Sequence, residues 1–338
     1  MVNVILETGG CGGAGVVPHT ESGFHSLKYG KSMSFQGALP ARFRRERVLI
    51  VGCGDVGQRA ARALGAGDRV RLLALTSSPE RCVALRVQGI TPLIGNLDQA
   101  RSLQRLAGLA TRVLHLAPPP SGELKDWRID PRTRALAQVL ARRTPPAALV
   151  YGSTSGVYGD CGGRWVDEAT PMQPRTPRAW RRVDAEEAIH HLGRIAGVRT
   201  SVLRIPGIYA PDRDGGTPRD RLLRGTPVLQ PEDDVYTNHI HADDLGRACA
   251  LALWRGRAQR NVNVSDDSEL LMGDYFDLAA DLYGLPRPPR IARDAASDQL
   301  PLMLLSFMSE SRRLRNQRMK AELRLRLRYP SVREGLRG

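Results

Sequence analysis

From Arg47 onward, short apolar runs alternate with stretches in which apolar residues recur every three or four positions. The first run, Arg47-Val48-Leu49-Ile50-Val51, has the form of a buried strand. Val56, Ala60, Ala63 and Leu64 follow it at helical spacing. Further strands are predicted over 70–75, 90–94, 113–116, 148–151 and 200–205. Helices are predicted over 98–109, with Asp98 as its cap, and over 132–143 and 178–195. Apolar strands alternating with helices predict an α/β fold with a doubly wound parallel sheet. After Pro206 the rhythm breaks into Pro- and Gly-rich connections with helices expected over 243–254 and 273–283. Residues 46–205 therefore read as the main domain. Residues 206–338 read mainly as a smaller C-terminal substrate lobe, with segments returning to the sheet. Residues 1–45 carry Gly9-Gly10-Cys11-Gly12-Gly13 and no periodicity, which predicts a disordered leader with Met33 as the physiological start.

Composition narrows the function classes. No apolar run reaches the roughly 18 residues of a membrane helix, and no basic-then-apolar signal opens the chain, so neither membrane nor export is expected. Five cysteines, Cys11, Cys53, Cys82, Cys161 and Cys249, are scattered without a CxxC pair. They suit reduced thiols in a cytoplasm and no metal site. The net charge of +15 invites a nucleic-acid reading, yet only four of the 50 basic residues are lysines. That skew, with no aromatic platform or reading motif, argues against a nucleic-acid partner and for a small-molecule substrate. The one basic concentration, 312–328, has Leu314, Met319, Leu323, Leu325 and Leu327 interleaved, as on a segment packed against a core.

The chemistry begins where the first strand meets Gly52-Cys53-Gly54-Asp55-Val56-Gly57. In a strand–GxGxxG–helix unit the first glycine makes the tight turn, the second leaves the backbone open to a pyrophosphate and the third lets helix and strand pack closely. The helix N-terminus supplies amides and the positive end of its dipole. This is a Rossmann-type dinucleotide site. A fold selecting NAD places an acid about 20 residues on, at the end of the second strand. Here that position holds Thr76, Ser77 and Ser78, with Arg81 close behind. Hydroxyls tolerate a 2′-phosphate and an arginine can bind one, so NADP is favoured, with NAD possible.

The stretch 150–160, Val-Tyr-Gly-Ser-Thr-Ser-Gly-Val-Tyr-Gly-Asp, resembles the Ser/Thr-x-x-Val-Tyr-Gly signature of the extended short-chain dehydrogenase/reductase superfamily, the NAD-dependent epimerase/dehydratase group. Leu203-Arg204-Ile205-Pro206-Gly207-Ile208-Tyr209-Ala210-Pro211 and Asn238-His239-Ile240-His241-Ala242-Asp243-Asp244-Leu245 match in order. Asn263-Val264-Ser265-Asp266-Asp267 and the ending Leu327-Arg328-Tyr329-Pro330 look like its YeeZ-like atypical branch. The similarity spans about 46–336. It implies Thr154 as the active-site hydroxyl, flanked by Ser153 and Ser155, although the same three residues suit a small-residue turn past the cofactor. It also implies that Asn96 and Leu97 neighbour the adenine, that Ala117 and Pro118 lie along the cofactor, and that Pro206, Gly207 and Ile208 flank the nicotinamide.

The family's working pair is a Tyr and, four residues later, a Lys. Alignment on Asp184-Ala185-Glu186-Glu187 places Arg178 and Arg182 there instead. An arginine is no general acid, because its pKa exceeds about 12. Arg178 can clamp an anion and Arg182 can hydrogen-bond a ribose, or both can face solvent. Tyr158, Tyr209, His239 and His241 are other proton donors in matched segments. The expected function is an NADP-binding oxidoreductase working on a carbonyl/alcohol pair. Alternatives are a sensor or scaffold that has lost chemistry, and a sugar-nucleotide epimerase or dehydratase.

Overall fold

Strands buried on both faces pair in parallel when helices cover the sheet, and seven do so here. The computed structural model describes residues 45–65, 70–122 and 126–337. The expected leader and Met33 lie outside the described residues. The strands are β1 (Glu46–Val51), β2 (Val70–Thr76), β3 (Thr91–Ile94), β4 (Arg112–His115), β5 (Ala148–Thr154), β6 (Arg199–Ile205) and β7 (Arg260–Asn263). Their spatial order is β3-β2-β1-β4-β5-β6-β7, and every neighbouring pair is parallel. The order reverses between β1 and β4, the switch point outside which such sheets bind ligands.

Alternation along each strand divides the core in two. Val48 and Ile50 of β1 point with Leu72, Leu114 and Leu203 towards α1 (Asp55–Leu64), α2 (Arg81–Val87) and α5 (Ala242–Arg255). Leu49 and Val51 point with Leu73, Val113 and Tyr151 to the other face, under α3 (Pro131–Leu140) and α4 (Pro177–Ala196). Helices α1 and α5 lie so close that a Cβ on Gly246 would sit 2.8 Å from Arg59 Cβ. A third core, around Tyr209, Leu222, Val228, Phe276 and Leu336, is built on α6 (Met272–Tyr283) and belongs to the C-terminal part. The chain returns from there to the sheet edge through β7.

Neither α2 nor β7 is among the elements predicted from the sequence, and two of those that are predicted differ in the structure. The stretch 98–109 is not an α-helix capped by Asp98. It is a 3₁₀ helix, Ala100–Leu106, beginning at Gln99 with no side-chain cap. Leu103 and Leu106, both fully buried, lie three apart and so share a face of a three-residue turn. Asp98 instead accepts two hydrogen bonds from Arg132, each of 2.6 Å. Strand β5 also runs past Tyr151 to Thr154, because Gly152–Thr154 continue the register with Leu203, Arg204 and Ile205. In the basic C-terminal segment Leu314, Met319, Leu323 and Leu325 are buried as expected. No helix among the described residues is long and apolar enough to cross a membrane.

Candidate functional site

The switch point opens into a cleft of about 520 Å³ whose floor is residues 52–57. Each glycine there answers to a different constraint. Gly52 has φ +89°, and a Cβ on it would lie 2.3 Å from the Ala117 nitrogen. On Gly57 a Cβ would meet the Gly52 carbonyl oxygen at 2.8 Å, so helix and strand could not close. A Cβ on Gly54 meets nothing within 4 Å. It would project into open space at the start of α1, where a phosphate group would lie. This geometry fits a dinucleotide pyrophosphate on the α1 amides.

One end of the cleft is walled by Thr76, Ser77, Ser78 and Arg81. Thr76 Oγ1 accepts from the Ser78 amide at 3.2 Å, which folds the hydroxyls into a turn. Arg81 Nη2 donates to the Cys53 carbonyl at 2.6 Å, bringing its guanidinium beside the glycine loop. Asn96 and Leu97 line the same end, while Ala117, Pro118 and Ile208 line the opposite wall. Pro206 and Gly207 directly precede Ile208 but do not themselves line the cleft. Burial pushes the Cys53 thiol up to about 11, so it is an inert packing residue at neutral pH. Arg132 and Arg213 also line the cleft. Sequence reasoning missed both, because Arg213 comes from a loop about 160 positions beyond the glycines and no local motif marks it.

Thr154, Arg178 and Arg182 are not part of that wall. They sit beside it, at the carboxyl end of β5 and the first turns of α4. Ser153 turns into the core, donating to Glu186 Oε1 at 2.5 Å, and Ser155 is buried. Thr154 is the half-buried one of the three, its Oγ1 accepting from the Gly156 amide at 3.2 Å. Its proton therefore remains available. Arg182 is buried; its Nη1 donates to the Gly152 carbonyl at 2.6 Å and to the Tyr151 hydroxyl at 3.0 Å. It grips the end of β5 two residues before Thr154. Arg178 is exposed, yet local desolvation and then the neighbouring Arg182 charge pull its pKa down.

The other proton donors separate clearly. Tyr158 is fully buried, donating to Asn263 Oδ1 at 2.7 Å beneath Arg204. His241 caps α5 through Nδ1 and stacks on Tyr329 at 3.7 Å. His239 stacks on Tyr275 at 4.2 Å, and burial pulls its pKa down to about 3, so it is neutral. It pairs in register with Gly207, and its Nδ1 has no partner. Tyr209 packs edge-on against both histidines. Among the described residues no group of three His, Cys, Asp or Glu side chains is placed to hold a metal ion.

Comparison with known proteins decides the family. The model of the NAD dependent epimerase/dehydratase family matches residues 48–265, from β1 through β7. The chain belongs to that family. Within the epimerase/dehydratase fold, a functionally unknown conserved protein from Silicibacter pomeroyi is 32% identical, with a TM-score of 0.70 over 86% of this chain and 97% of its own. The Thermotoga maritima UDP-glucose 4-epimerase with UDP-glucose is 17% identical, with a TM-score of 0.70 over 86% and 96%. The Bacillus cereus UDP-glucuronic acid 4-epimerase in complex with NAD is 16% identical, with a TM-score of 0.68 over 86% and 96%. These last two share the fold. A Methanocaldococcus jannaschii protein named "Putative UDP-glucose 4-epimerase" is 25% identical over 140 residues, 38% of this chain. The match spans 45% of that relative, less than half its length.

Proposed function

We propose that this protein is an NADP-dependent enzyme of the epimerase/dehydratase family that works on a carbonyl/alcohol pair of a small molecule. The observation that carries the reading is the cleft itself. Its floor is open at Gly54, and its ribose end presents Thr76, Ser77, Ser78 and Arg81 where an NAD-selecting acid would stand. A carboxylate there would repel a 2′-phosphate, whereas hydroxyls and a guanidinium accept it.

A bound nicotinamide supplies the hydride chemistry. The chain's own residues hold and orient. The α1 amides and Gly54 seat the pyrophosphate, with Asn96 and Leu97 at the adenine and Ala117, Pro118, Pro206, Gly207 and Ile208 along the nicotinamide half. Thr154 donates a hydrogen bond that polarises the substrate oxygen. Arg178, in the place of the family's Tyr, holds negative charge on the substrate. Arg182 acts through Gly152, fixing the strand end that carries Thr154. The four described cysteines are all unpaired, in keeping with a cytoplasmic enzyme.

A sugar-nucleotide epimerase or dehydratase is the second reading, favoured by the UDP-sugar enzymes that share the fold. The test is dinucleotide binding by fluorescence titration, followed by NADPH- and NAD-coupled assays on carbonyl compounds and UDP-sugars. Micromolar NADPH affinity is expected. Binding of neither NADPH nor NADH at millimolar concentration would overturn the proposal. Turnover that Thr154→Ala abolishes at unchanged cofactor affinity is the expected signature of catalysis.

A further inference from the structure

The loop that follows the strand Gly207–Tyr209 crosses to the glycine-loop helix and is tied to it twice. Arg213 Nη1 donates to Asp55 Oδ2, and Asp212 Oδ1 accepts from Arg59 Nη2 at 2.7 Å. The loop is closed on itself as well. The Ala210 amide donates to the Gly216 carbonyl at 3.2 Å and the Gly216 amide to the Arg213 carbonyl at 2.9 Å. Gly216 admits no side chain, since a Cβ there would lie 2.5 Å from the Ala210 carbonyl oxygen. Arg213 is thus held on a closed loop over the cleft that Gly54 leaves open, and it lines that cleft.

The charges around it are unevenly shared. Arg59 is buried and already engages three carboxylates: Asp55 at 2.9 Å, Asp212 at 2.7 Å and Asp243 at 2.5 Å. Arg59 is thereby spent on holding the three elements together. Arg213 has one partner, Asp55, which Arg59 also neutralises, and its guanidinium makes no further hydrogen bond among the described residues. A guanidinium with unused donors at the mouth of an anion site is suited to bidentate phosphate contact.

We propose that Arg213 is a ligand of the dinucleotide pyrophosphate, held in readiness by Asp55. This inference rests on the dinucleotide reading above. The pyrophosphate is common to NADP and NAD, so Arg213 contributes to both affinities equally and carries no cofactor preference. On binding, the guanidinium turns part of its donor set from Asp55 to the phosphates. Asp55 is then both the holder of Arg213 and a competing anion.

The test is titration of the full chain with NADPH and with NADH for Arg213→Ala, Arg213→Lys and Asp55→Asn. Arg213→Ala should weaken both dinucleotides by a similar factor, about 10- to 100-fold for a charge-assisted contact. Arg213→Lys should recover part of that loss. Asp55→Asn removes the holder and the competing anion together, so it should weaken binding by clearly less than Arg213→Ala. Affinities within twofold of wild type for Arg213→Ala would overturn the proposal. So would Asp55→Asn weakening binding as much as Arg213→Ala, since the pair would then only pin the loop. If the alanine variant does not fold, Arg213→Gln takes its place under the same criteria. A wild-type chain that binds neither dinucleotide would instead refute the cofactor reading itself.

Discussion

Arg204 and Glu186 form a fully buried ion pair at 2.8 Å, each side chain 2% exposed, directly behind the strand end that carries Thr154. Glu186 also accepts a hydrogen bond from the Ser153 hydroxyl, and Arg204 lies over the Tyr158 ring at 4.8 Å. The pair thus holds the Ser153 hydroxyl inward. Removing one partner leaves the other charged and desolvated, which costs about 3–5 kcal/mol. Glu186→Ala is expected to lose stability of that order, and the double variant Glu186→Leu/Arg204→Met distinctly less. Urea unfolding of the three proteins checks it; equal losses for single and double variants would contradict the pairing argument.

The glycine loop predicts two opposite outcomes from one substitution type. Gly52→Ala forces a Cβ to 2.3 Å from the Ala117 nitrogen at a positive φ, and should destabilise the fold by more than about 2 kcal/mol. Gly54→Ala meets only open space. It should unfold within about 0.5 kcal/mol of wild type while losing dinucleotide affinity at least tenfold. Thermal unfolding with and without NADPH separates the two.

Arg81 should discriminate between cofactors. It lines the cleft together with Thr76, Ser77 and Ser78, and a charge-assisted bond to a 2′-phosphate is worth about 1.5–3 kcal/mol. Arg81→Ala is expected to raise the NADPH dissociation constant by about 10- to 100-fold and to leave NADH nearly unchanged. An equal effect on both would remove the argument for NADP.

Asp266 should make stability depend on pH. Burial raises its carboxyl from the ordinary value to about 7, and one carboxyl oxygen has no partner. The folded state therefore holds a proton between about pH 4 and pH 7 that the unfolded chain has released. Its contribution to stability is full below pH 4 and is lost as pH rises through 7. Buried His115 and His239, both pulled down to about 3, act in the opposite sense, since the unfolded chain takes up protons below about pH 6.5. The measurement is therefore a difference. Asp266→Asn should gain stability relative to wild type between pH 5 and pH 8, read from Tm. A pH-independent difference would show that the carboxyl titrates normally.

Much of the sheet was legible from Arg47 onward, because a strand buried on both faces and an amphipathic helix each leave a local pattern. The cofactor half of the site was legible for a related reason. The demands at Gly52 and Gly57 are backbone demands that only glycine satisfies, Gly54 leaves space for a phosphate, and all three fall within one βα turn. The 98–109 stretch misled because Leu103 and Leu106 fit a 3.6-residue period nearly as well as a 3₁₀ turn, and Asp98 was drawn to Arg132 instead of to the helix end.

What the sequence by itself determined is six of the seven sheet strands with most of their helices, the glycine loop, and the missing acid after β2; all are local facts of residue type and spacing. Tertiary structure alone decided the rest. It turned Ser153 inward and left the Thr154 proton free, set Arg182 on the Gly152 carbonyl, and brought Arg213 across to Asp55. These outcomes depend on contacts between residues tens to more than a hundred positions apart. Charge and hydrogen bonding act at distances of about 3 Å in space, whatever the separation along the chain.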